Sequence, residues 1–359
     1  MSRRIYTKIK GTGSYIPKNV VENKDFLQHV FYDQKQQIIS GETHDVISKF
    51  QKITNIDERR YADDSMVTSD LAFIAAEEAF RSADIDRETL DGIIVAHNFG
   101  DVKKDNRQSD LVPSIASRVK YKLGINNPKT VAFDLIFGCP GWLQGVIQAN
   151  YQIQAGYAKR IMVIGAEMLS RVSDPHDRDS MIYSDGAGAT ILEAVESDEP
   201  TGILSMAVRT DAINEAQLLG MKGSNSPHHA KHEIYLKMEG RKLYEYALNN
   251  VPSLVKSCIE DAGLDLSDIK KVLIHQANEK MDEAILQRLF KLYGISEIPP
   301  ELMPMIINKL GNSSVATLPT LLDLISKNTL LPHSLNAGDA VVFASVGAGM
   351  NINAITYRF

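Results

Sequence analysis

Residues 83–95 read ADIDRETLDGIIV, and residues 262–274 read AGLDLSDIKKVLI. Each stretch ends a helical pattern, turns through an aspartate, and runs through Leu90 or Ile269 into a short β-branched strand. Paired positions lie 179 residues apart. A second echo follows in the same order. Gly186-Ala187-Gly188 leads into ATILEA, and Gly347-Ala348-Gly349 leads into MNINAITYRF, 161 residues later. An ordered internal repeat of this size predicts two similar halves, 1–195 and 196–359, with insertions of different length.

Around these echoes, helices alternate with short apolar strands. IIVAH, VAFDL, RIMVIGAE and ATILEA read as strands in the first half; KVLIH and DAVVFASV do so in the second. Between VAFDL and RIMVIGAE lies GWLQGVIQANYQIQAG, whose Trp142, Leu143, Val146, Ile147 and Tyr151 recur at helical spacing. PSLVKSCIEDAG, KMDEAILQRLFKLYG and LPTLLDLISK supply helices to the second half. The alternation predicts a layered α/β fold, whose strand ends are the usual place for a ligand. Two polar stretches without period, 29–45 and 98–110, read as surface insertions beside a pocket or a subunit contact.

Composition narrows the function. The 359 residues are 44% hydrophobic and 23% charged, ordinary for a globular chain. A net charge of −6 argues against a general nucleic-acid binder. No run approaches the roughly 18 apolar residues of a membrane span, and the N-terminus has no secretory apolar core. Two cysteines form no disulfide framework, so a reducing cytoplasm is the expected setting.

One of those cysteines has a chemical setting. Cys139 follows a strand and precedes Pro140-Gly141-Trp142; proline suits a first helical turn, so the thiol is expected at a helix N-terminus that favours its thiolate. A buried, inert thiol is the competing reading. Cys258 lies mid-helix and reads as core. His275 ends a strand before Gln276-Ala277-Asn278, and is either a pocket residue or a satisfied structural histidine. Asn312 lies in LGNSSVATLP at a turn entering a helix. It is a cap by its residue type, yet stands 173 residues after Cys139, close to the repeat offsets. His228, His229 and His232 sit in a polar loop without an apolar face and read as surface, not metal ligands. Lys280, Arg288 and Lys291 share one side of the helix after His275, as a solvated face or a docking face for an acidic partner.

Taken together, these elements resemble β-ketoacyl-acyl-carrier-protein synthase III, in the thiolase superfamily. GTGSYIPKNVVEN, ITNIDERRYA, TSDLAFIAAEEAF, FDLIFGCPGW, IGAEMLSRVSDPHDRDSMIYSDGAGATIL, HQAN, LGNSS and the closing GAG…RF carry the resemblance in order along nearly the whole chain. It implies a duplicated, five-layered αβαβα fold and a homodimer. It implies that Cys139 takes an acyl group from a primer thioester, and that His275 and Asn312 hold the carbonyl of a malonyl thioester as it loses carbon dioxide. Backbone N–H groups of Cys139 and Ala348 would form the oxyanion hole. Arg178, Lys280 and Arg288 would meet the carrier, and no metal or redox cofactor is needed. Acyl carrier protein is the implied partner; the product is a 3-oxoacyl thioester of fatty acid or related polyketide biosynthesis.

The resemblance has departures. Pro140 replaces a small residue, and Lys49-Phe50-Gln51-Lys52-Ile53 lacks the tryptophan and arginine that pack on coenzyme A in the family. The primer carrier therefore stays open between coenzyme A and acyl carrier protein. A thiolase-fold acyltransferase, a ketosynthase of secondary metabolism with another primer or acceptor, and a non-catalytic partner subunit are the remaining alternatives. A cysteine protease lacks its local signature here.

Overall fold

The computed structural model describes residues 4–230 and 232–359. In chain order its elements are β1 (Arg4–Tyr15), β2 (Asn19–Glu22), α1 (Thr43–Thr54), β3 (Glu58–Tyr61), α2 (Thr68–Ala83), β4 (Gly92–His97), α3 (Ile115–Leu123), β5 (Val131–Ile136), α4 (Gly141–Gln154), β6 (Arg160–Met168) and β7 (Asp185–Ser197). They continue as β8 (Gly202–Thr210), α5 (Ala212–Glu215), β9 (Leu219–Gly223), β10 (Ile234–Met238), α6 (Gly240–Asp261), β11 (Ile269–Ile274), α7 (Glu279–Leu292), α8 (Ile307–Leu310), α9 (Thr317–Ser326), β12 (Ala340–Gly347) and β13 (Asn351–Arg358).

Two sheets form the frame. The first has the order β1-β7-β6-β4-β5, and the second β8-β13-β12-β11. Directions repeat as well as order. β1–β7 and β7–β6 are antiparallel while β6–β4 is parallel; β8–β13 and β13–β12 are antiparallel while β12–β11 is parallel. Among the described residues the second sheet has no strand at the place of β5. There the chain only touches β11, where the Val272 N–H donates to the Leu302 carbonyl at 2.9 Å.

Helices cover both faces of both sheets, giving five layers. The outermost α2 and α3 bury Leu71, Ala76, Ile115 and Val119 against Ile93 and Val95 of β4. The opposite face of β4, through Ile94, meets the middle layer: Trp142 and Val146 of α4 with Leu318 and Leu321 of α9. That layer also packs on Val341 and Phe343 of the second sheet. Val251, Val255, Ile285 and Leu289 of α6 and α7 close the far side over Val342 and Ala344. Strands buried on both faces must be apolar throughout, which is why IIVAH and AVVFASV do not alternate.

The middle layer joins the two sheets. Asp323 of α9 accepts hydrogen bonds from Thr12 (2.8 Å) and Ser14 (2.6 Å) of β1, more than 300 residues away in sequence. Close packing is written into residue size. Alanines 75, 79 and 83 of α2 lie directly on Gly11 and Gly13 of β1. A Cβ at Gly13 would come within 2.3 Å of the Ala75 carbonyl oxygen, so no larger residue fits.

α6 begins twelve residues before the helix expected from PSLVKSCIEDAG, because Pro252 does not start it but lies inside it. Proline has no N–H for the Leu248 carbonyl one turn back. The guanidinium of Arg288 supplies the missing donor, at 2.9 Å from that oxygen and 2.7 Å from Asn249 Oδ1. No helix among the described residues is long and apolar enough to cross a membrane.

Candidate active site

A cavity of about 600 Å³ opens at the strand ends between the two sheets. Cys139, His275, Asn312, Asn98, Ser314 and Ala348 all line it. The three residues singled out from separate parts of the sequence thus converge on one space.

Cys139 sits between β5 and α4. Gly138 before it has φ +51, and a Cβ there would lie 2.8 Å from the Ala348 nitrogen; both facts require glycine. Pro140 is the N-cap residue of α4 (φ −74, ψ 5), one position earlier than the first-turn placement expected. Gly347 packs from the other half: a Cβ on it would stand 2.6 Å from the Cys139 nitrogen. The turn carrying Ala348 therefore touches the nucleophile loop backbone to backbone. Neither the Cys139 nor the Ala348 N–H is used in a turn hydrogen bond.

The thiol is not held as a thiolate. Burial pushes its pKa up to about 11, Ser314 draws it down by donating to Sγ at 3.4 Å, and the charge of Glu167 raises it further. The side chain keeps some exposure, toward a recessed cavity rather than the outer surface. Desolvation outweighs the helix N-terminus here, which corrects the expectation of a resting thiolate.

His275 follows β11, its N–H bonded to the Ala344 carbonyl of β12 at 2.8 Å. Gln276 pins the loop: its Nε2 donates to the Pro304 carbonyl and its Oε1 accepts from the N–H groups of Ile306 and Ile307. Asn278 caps α7 by accepting from the Met281 N–H. The imidazole is 3% exposed, and neither ring nitrogen has a hydrogen-bond partner. Burial lowers its pKa to about 4, so the ring is neutral, with one donor and one acceptor nitrogen. A satisfied structural histidine would have partners; among the described residues this ring has none.

Asn312 is fixed across the halves. Its N–H donates to the Ile182 carbonyl (2.9 Å) and its own carbonyl accepts from Ser184 (2.8 Å). Its Oδ1 accepts from the Ser314 N–H at 2.7 Å, which assigns the amide orientation and leaves the Nδ2 donors for the cavity. The turn lies close on β6, where a Cβ at Gly165 would meet the Val315 carbonyl oxygen at 2.2 Å.

Sequence reasoning did not find what lies behind the sulfur. Asn98 Nδ2 donates to Ser314 Oγ at 3.2 Å and also to Glu167 Oε2, which accepts the Asn98 N–H at 3.0 Å too. A relay Glu167–Asn98–Ser314–Cys139 results. Glu167 is 1% exposed, its Oε1 is unpaired, and burial raises its pKa to about 7. It does not line the cavity. Its place in IGAEMLS gave no motif, since the relay joins residues up to 216 positions apart.

Of the expected carrier contacts, Arg178 lies at the mouth, its side chain 54% exposed. Lys49 and Arg241, not anticipated as contacts, join it there. Lys280 lies outside the cavity in a shallow groove with Lys52 and Glu283. Arg288 is committed first to the Leu248 carbonyl. His229 is tied to Glu233 and Tyr235, and no cluster of three or more potential metal-ligating side chains occurs among the described residues.

Comparison with known proteins gives this geometry a family. Residues 133–212 match the family model described as 3-oxoacyl-[acyl-carrier-protein (ACP)] synthase III, and residues 259–359 match its C-terminal counterpart. A β-ketoacyl-[acyl-carrier-protein] synthase III of Staphylococcus aureus is 32% identical over 98% of both chains. One from Halalkalibacterium halodurans is 31% identical over the same share of each. The chain belongs to the 3-oxoacyl-[acyl-carrier-protein] synthase III family. The crystal structure of the Aquifex aeolicus synthase III superposes with a TM-score of 0.79 at 30% identity, covering 98% of this chain and all of that one. Members of the synthase III family are thiolase-fold condensing acyltransferases of fatty acid biosynthesis. They act on acyl and malonyl thioesters without a further cofactor.

Proposed function

We propose that this chain joins an acyl primer to a malonyl thioester through Cys139. The observation that carries the reading is the buried His275 ring, both nitrogens unpaired, in one cavity with the thiol and the free amide donors of Asn312. The thiol attacks the primer thioester; its proton passes through the neutral imidazole to the departing carrier thiolate. Cys139 and Ala348 N–H groups hold the oxyanion of that step. A malonyl thioester then enters. As its carboxylate leaves as carbon dioxide, His275 and Asn312 donate to the enolate oxygen. The enolate carbon attacks acyl-Cys139, the cysteine leaves as thiolate and takes a proton from water, and a 3-oxoacyl thioester departs.

Lys49, Arg178 and Arg241 at the mouth suit a phosphopantetheine phosphate; Lys280 and the outward edge of Arg288 suit an acidic acyl carrier protein. The reading takes each chain as two halves, 1–195 and 196–359, and two copies of the chain as a cytoplasmic homodimer. Its support is β5, an edge strand with Val131 and Ile136 more than 60% exposed, which a second copy would cover. The test is mass spectrometry after incubation with acyl thioesters. An acyl mass on the Cys139 peptide, absent in Cys139→Ala and absent from the Cys258 peptide, supports the reading; an unmodified Cys139 with every primer refutes it.

A further inference from the structure

Tyr183 has a hydroxyl that the fold does not use. The residue ends the turn at Arg178–Ile182, and its backbone is locked beside Asn312 by the two hydrogen bonds that flank it, Asn312 N–H to the Ile182 carbonyl and Ser184 N–H to the Asn312 carbonyl. The side chain is 5% exposed, yet it lines the same cavity as Cys139 and His275. Its Oη is buried and has no hydrogen-bond partner. Burial, with Asp179, Asp177 and Cys139 around it, keeps it a neutral phenol, able to donate.

An unpaired buried hydroxyl is a net cost to the folded protein. The ring's packing would be met equally by phenylalanine, which carries no such cost. A buried, unpaired hydroxyl on a residue that lines the cavity is explained by an acceptor that arrives with the ligand. We propose that Tyr183 is a substrate-contacting specificity residue whose O–H donates to a carbonyl oxygen of the bound thioester. The inference rests on the proposed function and deepens it: substrates with an acceptor at that depth are favoured over those without. Two sources present that oxygen, an amide of the pantetheine arm and the acyl group itself.

The experiment compares wild type with Tyr183→Phe in acylation of Cys139, using an acyl-pantetheine thioester and the same acyl group on ethanethiol. Thermal stability is measured in parallel. The expected result is an unchanged or higher Tm with kcat/KM for the pantetheine substrate lower by about tenfold, the loss of one neutral hydrogen bond. A defect confined to acyl-pantetheine assigns the contact to the arm; a defect on both substrates assigns it to the acyl group. Equal rates of the two proteins on both substrates would overturn the inference and leave the hydroxyl to water. A wild-type protein that takes no acyl group would instead remove the proposed function, and this contact with it.

Discussion

Gly347→Ala tests how tightly the turn after β12 holds the Cys139 loop. The new methyl would stand 2.6 Å from the Cys139 nitrogen, 2.7 Å from Pro140 Cδ and 2.9 Å from Cys139 Cβ. The backbone at Gly347 is extended (φ −167), so alanine meets no torsional strain there and the effect is purely one of contact. Ordinary contact begins near 3.4 Å, which leaves the methyl about 0.8 Å short against backbone and ring atoms that cannot rotate away. Overpacking of this kind costs about 1–3 kcal/mol of stability. A shift of about 1 Å in a reacting group costs on the order of 10²-fold in rate. The expected outcome is a folded protein with a modestly lower Tm and acylation of Cys139 slowed by about two orders of magnitude, read by stopped acylation and mass spectrometry. Gly223→Ala is the control, because nothing lies within 4 Å of its added methyl. Wild-type acylation in Gly347→Ala would refute the backbone clamp on Cys139.

Further expectations concern stability and pH. His275, lowered to about 4 when folded, gives stability that is complete above about pH 6.5 and lost as pH falls to 4; Glu167, raised to about 7, gives stability that is complete below about pH 4.5 and lost as pH rises to 7. Each amounts to about 3 kcal/mol, so the two nearly cancel over the shared window. Denaturant titrations should find Glu167→Gln losing about 3 kcal/mol relative to wild type between pH 7 and 4.5, and His275→Gln gaining as much between pH 6.5 and 4; parallel pH profiles for all three proteins would refute the assignment. Arg288→Ala leaves the Leu248 carbonyl opposite Pro252 without its protein donor and should lower stability by about 1 kcal/mol. Restoration by Pro252→Ala, which returns an N–H to that carbonyl, would separate the helix role of Arg288 from any carrier role, and a stability loss unaffected by Pro252→Ala would contradict it. Ser314→Ala removes the one side-chain donor to Sγ and should move the pH at which iodoacetamide modifies Cys139 upward; an unchanged profile would show that Ser314 does not set the thiol.

Most of the frame was legible because it is written in local pattern. IIVAH, RIMVIGAE and DAVVFASV sit within one or two residues of β4, β6 and β12, since a strand buried on both faces leaves a continuous apolar run. GWLQGVIQANYQIQAG is α4 for the same reason at helical period. α6 was misjudged at its start because Pro252 normally marks a boundary, and the donor that tolerates it comes from Arg288 on another helix. Cys139, His275 and Asn312 were legible as residue types in telling places, each at the end of a strand or the start of a helix. Their unpaired nitrogens, the raised thiol pKa and the Glu167–Asn98–Ser314 relay were not, because burial and long-range hydrogen bonding have no local spelling. Tyr183 was passed over inside a long matched block for the same reason.

The central claim is that Asn312 serves the malonyl step while Cys139 carries the acyl group. Release of labelled carbon dioxide from a malonyl thioester, measured on pre-acylated Asn312→Ala, tests it most directly. The account predicts that this variant takes up its acyl group at nearly the wild-type rate yet releases carbon dioxide about 10²–10³-fold more slowly, the loss of one donor to a developing oxyanion. Wild-type carbon dioxide release from the acylated variant would contradict it.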